Sequence, residues 1–131
     1  MSERIGTCSC GQLRVVCQGE PIRVSICHCH ACQKRSGGPF AAQARWAKEN
    51  VRSEGTAQEW GRTGDEGGKA TFRFCPTCGS TVFYTLDAMP DLVAVAIGAF
   101  CDPTLPTPVY SVYEDRMHPW VRLPDGIEHM A

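Results

Sequence analysis

Seven of the nine cysteines in this chain fall in three short clusters, and no other feature so narrows what the chain can become. The clusters are Cys8-Ser9-Cys10-Gly11, Cys27-His28-Cys29-His30-Ala31-Cys32 and Cys75-Pro76-Thr77-Cys78-Gly79-Ser80. The spacings are C-x-C and C-x2-C, which place two sulfurs on one ion and suit a metal better than a disulfide framework. The odd cysteine count argues the same way. A closed structural zinc site takes four protein ligands, whereas a catalytic one takes three and keeps a position open. Seven cysteines divide naturally into one set of each kind.

Compartment decides between metal and disulfide. The opening Met1-Ser2-Glu3-Arg4-Ile5-Gly6 is polar and no apolar run follows it, so a reducing, cytoplasmic setting is expected. No apolar stretch approaches the roughly 20 residues that span a membrane. A formal net charge of −1 supplies no overall basic field for nucleic acid. At 43% hydrophobic and 21% charged, the 131 residues read as one folded domain, 1–131. Lys34, Lys48 and Lys69 are the only lysines, so arginine, which suits bidentate contact with carboxylates, dominates the cations.

Periodicity points to many short strands. Residues 5–18 read as strand, tight turn at Cys10-Gly11-Gln12, and strand, with Leu13, Val15 and Cys17 on an inner face. Cys17 is thus a buried apolar thiol. Arg23–Ile26 is a short strand delivering the central cluster, and His30–Lys34 one helical turn. Phe40–Trp46 has helical propensity, but tertiary pairing favours a strand. Val51–Gly55 is turn-like, Thr56–Arg62 an edge strand, and Gly61–Lys69 a mobile loop or hairpin tip. Ala70–Phe74 and Thr81–Leu86 flank the last cysteine pair as strand, metal-binding knuckle, strand. Leu92–Phe100 is a central strand and Val109–Tyr113 the last one. The tail around Trp120 is irregular and semi-apolar and is expected to close over one end of the sheet; a homodimer contact is the competing reading. The whole is a single mainly β domain.

Cys8, Cys10, Cys75 and Cys78 form the expected structural zinc site, each pair followed by a glycine that lets backbone N–H groups approach the sulfurs. This joins the two halves of the chain and couples metal binding to folding. Cys27, Cys29 and Cys32 are left over. Three thiolates leave one position for water or an incoming thiol, which zinc would hold as thiolate. Two alternatives stand beside this: a second structural site completed by Cys17 or Cys101, and a mixed site using His28 or His30. In so tight a loop the histidines are expected to point away from the ion.

The three motifs together, C-x-C-G at Cys8–Gly11, C-H-C-x2-C at Cys27–Cys32 and F-C-x2-C-G-S at Phe74–Ser80, resemble those of the glutathione-dependent formaldehyde-activating enzyme family, which also includes centromere protein V. The resemblance implies an Mss4-like β fold of short antiparallel strands with zinc-binding knuckles. It implies structural Zn2+ on Cys8, Cys10, Cys75 and Cys78, and catalytic Zn2+ on Cys27, Cys29 and Cys32. The implied activity joins glutathione to formaldehyde as S-hydroxymethylglutathione, formally the reverse of a carbon–sulfur lyase reaction. Arg35 and Lys34, beside the cluster, are candidates for the two glutathione carboxylates. A zinc-dependent enzyme acting on a thiol adduct therefore stands against a non-enzymatic zinc module that binds a protein partner.

Overall fold

The computed structural model describes residues 2–64 and 67–130. Its strands are β1 (Glu3–Thr7), β2 (Arg14–Gln18), β3 (Arg23–Cys27), β4 (Ala41–Ala47), β5 (Val51–Glu54), β6 (Gln58–Thr63), β7 (Lys69–Phe74), β8 (Thr81–Leu86), β9 (Met89–Ala96), β10 (Tyr110–Val112) and β11 (Glu128–Met130). The α-helix α1 (His30–Ser36) and three short 3-10 turns complete them. The fold is mainly β, as the patterning implies. β1-β2-β5 form a small antiparallel sheet, and the large sheet runs β11-β10-β3-β4-β9-β8-β7-β6. Antiparallel pairing dominates, but β10 runs parallel to both β3 and β11.

The alternation of side chains along the central strands creates two chemically different faces. On one face Val24, Ala44, Trp46, Val93 and Val95 meet Val15 and Cys17 of the small sheet and Leu13 just before it, and all are buried in one core. Trp46 anchors it, packed 5.5 Å from the Phe100 ring, with its indole N–H donating to the Gly19 carbonyl at 3.0 Å. Each such aliphatic or aromatic side chain stabilises the fold by about 1.5–3 kcal/mol. The opposite face carries Arg23, Ser25 and Cys27 on β3, then Gln43 and Arg45 on β4. The register extends this face across the sheet. Arg23 faces Arg45, Arg45 faces Ala94, Ala94 faces Tyr84, Tyr84 faces Phe72 and Phe72 faces Trp60.

Several expectations need correction. Val51–Glu54 is a strand, paired with β2, because a β2 buried on its inner face also offers a free edge. Helix α1 runs two turns rather than one. The strand read at Leu92–Phe100 begins at Met89 and stops at Ala96, where Ile97–Ala99 tightens into a 3-10 turn. Of the segment 61–69 read as a loop or hairpin tip, Gly61–Thr63 end β6 and Lys69 begins β7, so the hairpin tip lies between them, with residues 65 and 66 outside the described residues. Trp120 does not cover the sheet: it is 65% exposed, its ring tilted against that of His118 at 5.9 Å, while Val121 and Ile127 are the described tail residues that are buried. The aliphatic Val121 and Ile127 are buried in its place, and the bulky indole is left outside.

Candidate metal centres

The turns after β1 and β7 are built alike and face each other. In the first, Cys8 N–H donates to Leu13 O at 2.9 Å, Gly11 N–H returns to Cys8 O, and Leu13 N–H reaches the Cys8 sulfur at 3.3 Å. In the second, Cys75 N–H donates to Ser80 O, Gly79 N–H returns to Cys75 O, and Thr77 N–H reaches the Cys75 sulfur at 3.4 Å. Gly11 and Gly79 take φ of +86° and +82°, a conformation that a side chain would strain. Ser9 and Ser80 hydroxyls, 2.9 Å apart, clamp the two turns together. Gln12 closes the group, its amide donating to the Cys75 sulfur at 3.0 Å while its oxygen accepts from Thr56 N–H.

The four sulfurs of Cys8, Cys10, Cys75 and Cys78 lie within 4.8 Å of one another. Neighbouring sulfurs are 3.6 Å (Cys8–Cys10) and 3.7 Å (Cys10–Cys75) apart. A tetrahedron with about 2.3 Å zinc–sulfur bonds has an edge of about 3.8 Å, so the donor set fits a zinc ion. The surroundings favour the thiolate at Cys75 and Cys78, while the neighbouring thiols hold Cys10 up at about 11. The Gln12 amide holds Cys75 below the ordinary thiol value. The Ser80 hydroxyl, with the N–H groups of Ser80 and Cys10, brings Cys78 down to about 5.

The second group has a different origin. Cys27 ends β3, Cys29 is the N-cap of α1, accepting from Cys32 N–H at 3.3 Å, and Cys32 lies in the helix's first turn. Their sulfurs also lie within 4.8 Å of one another, and among the described residues no fourth cysteine, histidine, aspartate or glutamate joins them. Hydrogen bonds from Cys27 and Cys32 pull Cys29 down, and the same pairings push Cys27 up, so the three sulfurs share negative charge that a cation would satisfy. His28 turns away into the protein, fully buried, with Nε2 2.9 Å from the Ser111 hydroxyl. His30 is exposed. Cys17 belongs to the core, where burial pushes its thiol up to about 12, and exposed Cys101 bonds the Gly98 carbonyl. None of the residues weighed as a fourth ligand is in place.

Beside this second group opens a cavity of about 940 Å³, and Cys27, Cys29 and Cys32 form part of its wall. Its floor is the polar and aromatic face of the large sheet. Among the described residues its lining includes six cations, Arg23, Lys34, Arg35, Arg45, Arg62 and Arg116, and no carboxylate. Arg35 lies over the Phe72 and Tyr84 rings at 4.9 and 5.0 Å, with Nη2 3.7 Å from the Cys32 sulfur. The chain carries a net charge of −1, so this concentration of positive charge is local. The arrangement can hold a small anion next to a thiolate-rich metal site.

The seven cysteines singled out by spacing are therefore brought together as a group of four and a group of three. Lys34 and Arg35 line the cavity as proximity suggested. Ser25, Gln43, Arg45, Phe72 and Tyr84 were missed. The available signal was the alternation Arg23-Val24-Ser25-Ile26-Cys27, in which every second residue shares the cysteine's face.

Two comparisons place the chain among known proteins. It superposes on a crystal structure of a Rhodobacter sphaeroides protein, a structural genomics target, with a TM-score of 0.56 and 22% identity over 72% of this chain and 85% of that one. That likeness concerns the fold. Curated proteins yield no significant match. The sequence model described as glutathione-dependent formaldehyde-activating enzyme matches residues 3–116, which carry all seven clustered cysteines and every strand up to β10. The chain belongs to the glutathione-dependent formaldehyde-activating enzyme family.

Proposed function

We propose that the protein is a zinc-dependent enzyme of carbon–sulfur lyase type that joins a small-molecule thiol, such as glutathione, to an aldehyde such as formaldehyde. Cys8, Cys10, Cys75 and Cys78 would hold a structural zinc, and Cys27, Cys29 and Cys32 a second zinc with one position free. Held by three thiolates, that ion would keep an incoming thiol deprotonated, and hence nucleophilic, at neutral pH. The addition forms one carbon–sulfur bond at the expense of the carbonyl π bond and moves the thiol proton to the new hydroxyl, so it needs no redox partner.

The chain's own residues supply the rest. Arg35 places positive charge beside Cys32 and is held there by two aromatic rings, where it offsets the excess negative charge of three sulfurs. The cationic lining attracts a carboxylated thiol and raises its local concentration. The single observation that carries this reading is the asymmetry of the two groups. One has four sulfurs and serves two turns; the other has three, in the wall of a cavity.

The test is to mix zinc-loaded protein with glutathione and 13C-formaldehyde and follow S-hydroxymethylglutathione by NMR. Formation faster than the uncatalysed reaction is expected. A rate equal to the protein-free control, with two zincs bound, would favour the alternative of a non-enzymatic zinc module for a protein partner. No helix among the described residues is long and apolar enough to cross a membrane. A cytoplasmic location suits the thiolate chemistry.

A further inference from the structure

The geometry points to Arg45 as the residue that selects a carboxylate on the thiol substrate, an inference that rests on the enzymatic reading above. Arg45 is 7% exposed, and no described carboxylate lies within ion-pair distance of it. One of its nitrogens, Nη1, donates to the Ser25 hydroxyl at 3.0 Å, and the Gln43 amide donates to the same oxygen at 2.7 Å. Ser25 and Gln43 are each 2% exposed, and the Gln43 side-chain oxygen has no partner. The other guanidinium nitrogens are not sealed off by protein, and Arg45 lines the cavity. A guanidinium taken out of water without a counter-ion is costly to keep. Its retention on a rigid pair of central strands fits a site whose counter-ion arrives with the ligand.

The neighbouring cations are otherwise engaged. Arg23 lies over the Tyr110 ring at 4.3 Å, Arg35 serves Cys32 and its two rings, and Arg116 is ion-paired with Asp115, while Lys34 is exposed and Arg62 only half-buried. Arg45 alone combines burial, a fixed anchor and an unmatched charge. Its anchor also sets the distance. Ser25 and Cys27 sit on the same face of β3, one strand repeat or about 7 Å apart. The ligand is thus a thiol, or its aldehyde adduct, whose carboxylate lies several bonds from sulfur. Glutathione meets this description at either end, and short neutral thiols do not.

The experiment measures binding of glutathione and of its diethyl ester to zinc-loaded wild type, Arg45→Met and Arg45→Lys by isothermal titration. Wild type should prefer glutathione, and the preference should fall about tenfold or more in Arg45→Met, the range of a charge-assisted hydrogen bond. Arg45→Lys should keep part of it. Arg45→Met should melt no lower than wild type, since it removes an unmatched buried charge; Arg45→Gln replaces it should that variant not fold. An unchanged glutathione-to-ester ratio in the neutral variant, or no preference in wild type, overturns the assignment. The formaldehyde reaction reports separately. Turnover with an unchanged ratio sinks only the role of Arg45, and a lost preference in protein that never turns over sinks only the enzymatic reading.

Discussion

The four-cysteine and three-cysteine groups use the same side chain and nearly the same spacing, yet they are assembled in opposite ways. The first draws its ligands from turns whose cysteines are 65 or more residues apart, tied by Gln12–Cys75 and Ser9–Ser80 contacts. The second takes all three from the junction of β3 and α1 and closes no long loop. Ion binding to the first therefore restrains the whole chain, whereas binding to the second restrains only one local segment. On the proposed reading, the long-range set would serve stability, and the local three-sulfur set beside a cavity would be free to serve chemistry.

Breaking the long-range group should have the largest effect. Cys75→Ser leaves an incomplete donor set at a fully buried position between the two turns. Metal-coupled folding energy is on the order of 10 kcal/mol, comparable with the whole stability of a domain this size. The variant is expected to be insoluble or to lose its cooperative melt by circular dichroism. Cys29→Ser attacks the local group. It should lower glutathione-dependent formaldehyde turnover by about 100-fold or more while shifting Tm by only a few degrees.

Truncation after Asp115 sharpens the contrast from a third direction. It removes β11 and the buried Val121 and Ile127, at about 1.5–3 kcal/mol each. It also removes the His118 ring, which sits 2.8 Å from the Gln33 side-chain oxygen; the Gln33 amide in turn donates to His28 O inside the three-cysteine loop. Tm should fall by roughly 10 °C, and the more labile zinc should be released faster. Gln12→Ala has the smallest effect. Losing its 3.0 Å contact to Cys75 should speed zinc release from the four-cysteine group about tenfold, read with a colorimetric chelator, and leave turnover nearly unchanged.

The contrast between the groups was legible in the sequence, because ligand spacing along a chain is itself a geometric statement. The knuckle between β7 and β8 was legible for the same reason, being fixed by local turn chemistry at Cys75–Ser80 and alternation on either side. The cavity floor was not. Arg45 meets Ala94, and Ala94 meets Tyr84, only through the register of three strands, β4, β9 and β8, scattered from residue 41 to 96. No local pattern at Arg45 specifies that pairing. The parallel placement of β10 on β3 was hidden likewise: it depends on how the proline-rich segment 102–108 returns the chain to the sheet, not on any property of Tyr110–Val112 alone. Strand β5 was read as a turn because Val51–Gly55 is short and turn-like, and only pairing with the free edge of β2 makes Val51–Glu54 a strand.

The most direct test of the account is the kinetics of zinc release to a chelator from wild type and Cys29→Ser, each with and without glutathione. The expected result is two kinetic classes in wild type: a slow zinc, and a fast one that glutathione slows and that is missing from Cys29→Ser. A single slow class in wild type, indifferent to glutathione, would contradict the division of labour between the two groups and leave two structural sites.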